Sequence, residues 1–308
     1  MLQNKDIVGF GVATLDVICE VNRFPTAGGK ERVLSCEAHG GGLTATALVA
    51  ASKLGASCWY GGPLGDNKMS NQVRSIFHKF GVECCEPGLY PPEAEPLLSN
   101  VYLERETGER TILWTDFLTP DPILDESAYK MVASAKCLFV DHYFAKTLLP
   151  LYKRVREANI PIVGDFERIE SPDVVETITL VDHLILPARF AREYTKENDI
   201  STAVMRLLGE SRRNAVVITE GTAGAWFAEQ GDTSVQHQAS FKVQTRDTNG
   251  CGDVFHGAYA AGLVFGMNLR DRVRFASAAS ALKATKVGGQ SGAPFRNELD
   301  AFLEYTSY

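Results

Sequence analysis

The stretch Asp247-Thr248-Asn249-Gly250-Cys251-Gly252-Asp253, running into Val254-Phe255-His256-Gly257-Ala258, decides how this chain is read. Two glycines flank a small residue where an apolar helix begins. The first turn of a helix leaves backbone N–H groups without acceptors and carries the positive end of the helix dipole. Gly250 and Gly252 bring no side chain, so an anion can approach the backbone from Gly250 through Cys251 to Gly252. Asp253 falls in that first turn. A carboxylate beside an anion hole is well placed to take the proton of a hydroxyl that attacks a phosphoryl group, while N–H groups hold the transferring charge. A lone Gly-x-Gly would be a turn with a capping aspartate. Seven residues with two aspartates, ahead of a small-residue helix, argue for chemistry.

Outward from that run, the chain has 308 residues, 45% hydrophobic and 22% charged, as expected of a globular protein and too apolar for disorder. A net charge of −7 gives no electrostatic footprint for a phosphate backbone, so nucleic acid is not expected as a partner. The uncharged apolar stretch 254–269 is too short to span a bilayer and is interrupted by His256, Gly257 and Gly266, so no membrane association is expected. Met1-Leu2-Gln3-Asn4 opens no apolar signal segment, which points to the cytoplasm. Seven cysteines at irregular spacing, with no Cys-x-x-Cys, argue for reduced thiols rather than a zinc site or disulfide framework.

Residues 6–12 read as a buried first strand, with Ala13-Thr14-Leu15-Asp16 as the turn that ends it. Two β-like stretches, 17–21 and 32–37, flank Pro25, Gly28 and Gly29 as a hairpin. A second hairpin pairs 98–104 with 110–115 around Thr107-Gly108, after an acidic, proline-rich linker over 84–96. A small-residue helix (43–54), a strand (57–61) and a helix (68–80) separate the two. From Ala128 onward strands and helices alternate, which implies right-handed βαβ units and a mostly parallel sheet covered on both faces. The hairpins break that rhythm. They predict a separate small sheet, a lid over the carboxyl edge of the main one.

The run 247–253 resembles the Asp-Thr-x-Gly-Ala-Gly-Asp motif of the PfkB, or ribokinase-like, carbohydrate kinases. The resemblance extends along the whole chain. Gly41-Gly42 with Leu54-Gly55, Gly65-Asp66, Thr219-Glu220-Gly221-Thr222-Ala223-Gly224, and Gly288-Gly289 with Pro294 match further family motifs in order. It implies one α/β domain over 1–308: three layers, α/β/α, around a mostly parallel sheet, with lid segments near 13–38 and 97–117. It implies ATP and Mg²⁺ as cofactors and Asp253 as catalytic base beside an anion hole of Gly250, Cys251 and Gly252. Asp16, Gly41, Gly42 and Thr46 would meet the sugar. Thr219, Gly221, Thr222 and Gly224 would line the ATP phosphates, with Ser277 near adenine. Asp247 and Asn249 would anchor K⁺. The runs 253–258, 272–277 and 281–283 are most similar to the sulfofructose-kinase-like branch, in which Lys30 would contact an anion. Trp114 and Tyr143 stand where that branch carries polar groups.

This sequence departs from the family at several positions. Thr46 replaces an asparagine, and Gly292 a serine of the cation loop. The family's Asn-x-x-Glu should fall near Leu186-Pro187-Ala188-Arg189-Phe190, where neither residue is present, with Glu193 the substitute acid considered. Cys251 replaces an alanine, either as a near-isosteric filler or as a thiol activated by the helix N-terminus. His256 reads as a packed helix histidine, His39 as a candidate sugar contact, and Tyr102, Trp114 and Phe117 as lid packing. The expected reaction is ATP-dependent phosphorylation of a primary hydroxyl on a small furanose or ketose, by a homodimer clasped through the lid. The alternatives are a nucleoside kinase of the same fold and a catalytically silent sugar-binding regulator.

Overall fold

The computed structural model describes residues 4–85, 88–107, 109–116 and 118–306. Gly108 of the second hairpin turn, Phe117, residues 1–3 and residues 86–87 of the linker lie outside the described residues. The chain lays down β1 (Ile7–Phe10), crosses to β2 (Thr14–Val21) and β3 (Val33–Gly41), and returns through α1 (Leu43–Lys53), β4 (Cys58–Tyr60), α2 (Lys68–Lys79) and β5 (Val82–Cys84). A second excursion makes β6 (Leu97–Glu104) and β7 (Arg110–Thr115). Then follow α3 (Glu126–Ala133), β8 (Cys137–Asp141), α4 (Ala145–Glu157), β9 (Ile162–Asp165), α5 (Pro172–Leu180), β10 (His183–Pro187), α6 (Ala188–Thr195), α7 (Ile200–Gly209) and β11 (Ala215–Thr219). The chain ends with β12 (Ala225–Glu229), β13 (Gln236–Gln238), α8 (Cys251–Val264), α9 (Leu269–Ala284), α10 (Gly289–Gly292) and α11 (Arg296–Tyr305).

Nine strands form one sheet in the order β13-β12-β11-β10-β9-β8-β1-β4-β5. All neighbours from β11 to β5 are parallel, and β12 and β13 add an antiparallel edge. The buried strands send alternate residues to opposite faces. Ile7 packs with the apolar faces of α1, α2, α8 and α9, while Val8 and Phe10 pack with α3 to α7. Three layers result.

The lid is a second sheet in the order β3-β2-β6-β7. Both hairpins are antiparallel, and the parallel pair β2·β6 joins them. Two boundaries differ from the sequence reading. Thr14–Asp16 is no turn: β1 ends at Phe10, and β2 already begins at Thr14, because alternation starts there rather than at Val17. The glycine run also belongs to a strand, since β3 pairs through to Gly41 against Thr14. No disulfide joins the cysteines among the described residues, and none of their helices is long and apolar enough to cross a membrane.

Candidate active site

Parallel strands bring their carboxyl ends to one edge of the sheet, where α/β folds bind ligands. Asp141 ends β8, Asp165 ends β9 and Thr219 ends β11, and the lid strands leave from this edge after Phe10. Two cavities open there. The first, of about 490 Å³, lies between lid and sheet and is lined by Asp16, His39, Gly41, Gly42, Thr46, Asn249, Gly250 and Asp253, among others. The second, of about 350 Å³, is lined by Thr219, Gly221, Thr222, Gly224, Cys251 and Ser277, with Phe241, Val243 and Ala281 supplying apolar wall. Thr248 and Gly252 line both. The cavities therefore meet at the first turn of α8, on either side of the run that opened the sequence reading.

That turn is left without a side-chain cap. Helices α2, α3, α7 and α9 are capped by Asn67, Asp125, Asp199 and Asn268, whose side chains accept a backbone N–H. Helix α8 starts instead at Gly250, in the left-handed region at φ 76°, where a Cβ would stand 2.7 Å from Gly289 Cα. The Cys251 N–H is spent on Thr248 O at 3.2 Å, so Gly252 and Asp253 supply the uncommitted first-turn amides. Beside Gly252 there is open space. Burial pushes the Cys251 thiol above its ordinary pKa and outweighs the Lys283 charge, which runs against a thiol activated by the helix N-terminus.

Asp253 is held well above the ordinary carboxylate range by burial, reinforced by the carboxylates of Asp165 and Glu167. Asp165 is raised for the same reasons, and neither of its oxygens accepts a hydrogen bond from the described residues. His256 is packed, as read. Its Nδ1 contacts Gly252 O at 2.8 Å and Asp165 Oδ2 at 3.4 Å, its Nε2 contacts Ile185 O at 3.2 Å, and burial lowers its pKa.

The lid face over the first cavity follows from strand period. Thr14, Asp16 and Ile18 share a face of β2, and all three line the cavity. His39, Asp16, Ser99 and Trp114 form one cross-strand row over β3, β2, β6 and β7. Asp16 accepts from Thr14 Oγ1 at 2.7 Å, and burial raises its pKa. A Cβ on Gly41 would sit 2.2 Å from Asp16 Oδ2, so only glycine leaves the carboxylate room. Thr46 is buried on α1 at the cavity wall.

Several sequence readings are not met here. Lys30 lies exposed in the loop between β2 and β3 and is not among the residues lining either cavity. The side chains that line the first cavity with positive charge are Arg110 and Arg168. Arg168 is fixed by His142 Nε2 at 3.1 Å, Tyr143 Oη at 2.7 Å and Glu170 at 2.7 Å. Phe190 is buried in the core, and Glu193 is exposed on α6 and lines neither cavity. The acids at the sheet edge are Asp141, Asp165 and Glu167, which the sequence did not single out. Only the strand ends that precede them could have marked these residues. Thr219 ends β11, Gly221–Ala223 form a 3-10 turn and β12 begins at Ala225, and Thr219, Gly221, Thr222 and Gly224 all line the second cavity.

The sequence profile of the family described as pfkB family carbohydrate kinase matches residues 4–296. A ribokinase of Bacillus subtilis is 26% identical, over 97% of this chain and 99% of that protein. A 2-dehydro-3-deoxygalactonokinase of Haloferax volcanii is 28% identical, over 84% and 86%. The Arabidopsis thaliana ribokinase solved with ribose and ATP superposes with a TM-score of 0.85 at 20% identity, covering 98% of this chain and 99% of that one. The chain thus belongs to the pfkB family of carbohydrate kinases and is an ATP-dependent carbohydrate kinase.

Proposed function

We propose that the chain transfers the γ-phosphoryl group of ATP to a primary hydroxyl of a small furanose or ketose, with Asp253 as general base. The observation that carries this is the meeting of the two cavities at the first turn of α8, with Asp253 on the lid side. The sugar lies under the lid against Asp16 and Gly41. ATP lies along Thr219–Gly224, with adenine toward Ser277. A hydroxyl held beside Asp253 loses its proton to the carboxylate as it attacks. The amides of Gly252 and Asp253 hold the charge on the transferring group. The lid excludes water, which suppresses ATP hydrolysis.

Magnesium fits this edge. Asp165 offers buried carboxylate oxygens without hydrogen-bond partners, and Glu167 lines the sugar-side cavity. Among the described residues there is no cluster of three or more His, Cys, Asp or Glu side chains that could hold a metal by itself. Mg²⁺ is commonly held by one or two carboxylates together with substrate phosphates, so Asp165 and Glu167 would hold it jointly with ATP. Bound there, it would neutralise charge on the phosphates.

A narrower reading, an acidic sugar, is favoured by Arg110 and Arg168 in the sugar-side cavity. A guanidinium pairs well with a carboxylate or sulfonate, and one relative is named for an acidic sugar. ADP release from ATP, measured across ribose, fructose, 2-dehydro-3-deoxygalactonate, sulfofructose and adenosine, decides among these. Turnover of a sugar and not of adenosine is expected. Adenosine as the sole substrate would favour the nucleoside kinase, and no turnover at all the silent regulator.

A further inference from the structure

The buried Lys283 sits where the family resemblance places a monovalent cation. It is the last-turn lysine of α9, and its side chain has no solvent exposure. Its Nζ donates to Asp247 O at 2.8 Å and Lys286 O at 3.1 Å, and lies 3.5 Å from Asp247 Oδ2. An ammonium has three donors and no acceptor, and here three oxygens face it. The Asp247 carboxylate is held further: Oδ1 accepts from Asn249 N at 2.9 Å and lies 3.9 Å from the Arg110 guanidinium, and Oδ2 accepts from Gly288 N at 2.8 Å. Burial raises the Asp247 carboxyl, but these amides and the Lys283 charge more than offset it and leave its pKa below the ordinary value. Carbonyl oxygens are the ligands that strip K⁺ of its hydration shell. At this loop they are engaged by a side chain instead.

Gly292 carries the same message. A Cβ there would lie 2.9 Å from Lys283 Cδ and 3.3 Å from Lys283 Cε. The space that the family's serine would use is filled by the lysine stem. A bare position at 292 leaves room for the lysine at 283.

We propose that Lys283 is a built-in cation that replaces the monovalent metal ion and holds the 247–250 loop in the shape that starts α8. The loop is already tied to α9, since Arg246 N and Asp247 N both donate to Ala284 O, at 2.7 and 3.1 Å. The ammonium gathers the Asp247 and Lys286 carbonyls and the Asp247 carboxylate, so Gly250 and the α8 amides are set without an ion from solution. Lys283 lines neither cavity; it is a positioning residue that acts through Asp247 and Gly250. The enzyme is accordingly indifferent to the choice between K⁺ and Na⁺, and the K⁺ site expected at Asp247 and Asn249 is occupied from within.

The activity arm of the test rests on the kinase reading, and the thermal arm does not. Melting temperature and kcat/KM are measured in chloride salts of K⁺, Na⁺ and tetramethylammonium at one ionic strength. The wild-type protein should give the same values in all three. In Lys283→Met, which keeps the stem and removes the charge, kcat/KM in tetramethylammonium should fall about 10-fold or more, the scale of a displaced reacting group. K⁺ should then restore part of the rate and raise the melting temperature of this variant as its concentration rises. A wild-type protein stabilised or activated severalfold by K⁺ overturns the proposal. So does a folded Lys283→Met that ignores K⁺ in both readouts. If Lys283→Met fails to fold, the wild-type salt series decides by itself, since a bound K⁺ would raise its melting temperature whatever its substrate.

Discussion

Asp253 works as a base only when deprotonated, and its surroundings resist that. Burial, with Asp165 and Glu167 close by, keeps its proton on well above the usual carboxylate range. The rate should therefore fall on the acid side at a higher pH than an ordinary aspartate would give. We expect the acidic limb of kcat/KM, measured from pH 5 to 9, to lie clearly above the ordinary carboxylate value of about 4. A limb at about that ordinary value would show a carboxylate in a wet, unopposed setting. Arg168 tests the other end of the cleft. Arg168→Met keeps the stem but removes the guanidinium that lies over the Tyr143 and Trp114 rings. If the substrate is an acidic sugar, KM for it should rise about 10-fold or more, the scale of a lost charge-assisted hydrogen bond, with KM for a neutral sugar unchanged. Equal effects on both would assign Arg168 to lid packing alone.

Among the elements, α1 shows how a buried acid sets a helix in place. Asp141, at the end of β8, accepts from Val12 N at 2.8 Å and Thr44 Oγ1 at 2.7 Å through Oδ2, and from Tyr143 N at 2.9 Å through Oδ1. It ties the exit of β1, the start of α1 and the β8 end together. Burial pushes its pKa up to about 6 from 3.8. The folded state thus holds the proton more tightly than the unfolded chain. The stability this gives is complete below about pH 4 and is lost as pH rises through about 6. Asp141→Asn has no such proton, so wild-type stability relative to the variant should drop by up to ~3 kcal/mol between these limits and stay level above them. Urea unfolding at pH 4.5, 5.5 and 7 measures this, and a difference independent of pH would contradict it. Neither Asp141 nor Asp165 was read from the sequence, because Val12 and Thr44 beside the first and His256 beside the second lie far away along the chain. The lid strands were legible since alternation is local. Strands β5, β12 and β13 and helices α5 and α6 were not, being short segments whose pattern is decided by neighbours in space.

For the whole molecule, the sequence carried the architecture because the motifs at 41–42, 219–224 and 247–253 all fall at one sheet edge. It misplaced Lys30, because a loop cation has no periodicity to say which way it faces. The lid leaves an apolar strand uncovered: Ile112, Leu113 and Trp114 on β7 are each more than half exposed, and β7 is an edge. Exposed apolar edges invite pairing. We propose that two copies associate through their lids. Leu113 alternates away from the cavity-lining Ile112 and Trp114, so Leu113→Glu should separate the copies without touching the sugar. Light scattering after size exclusion should give a dimer for the wild type and a monomer for the variant, whereas a monomeric wild type removes the proposal.

The measurement closest to the central claim is kcat of Asp253→Asn, with the best sugar of the panel. Asparagine keeps the shape and the helix-start position and removes the basic oxygen. With Asp253 as the base, kcat should fall about 10²-fold or more. ATP and sugar affinities should change little, because the anion hole is made of backbone amides. Melting temperature serves as the control for folding. A folded Asp253→Asn enzyme within about threefold of the wild-type rate would leave Asp253 as a mere helix-start residue, for which asparagine serves equally well, and would contradict the account.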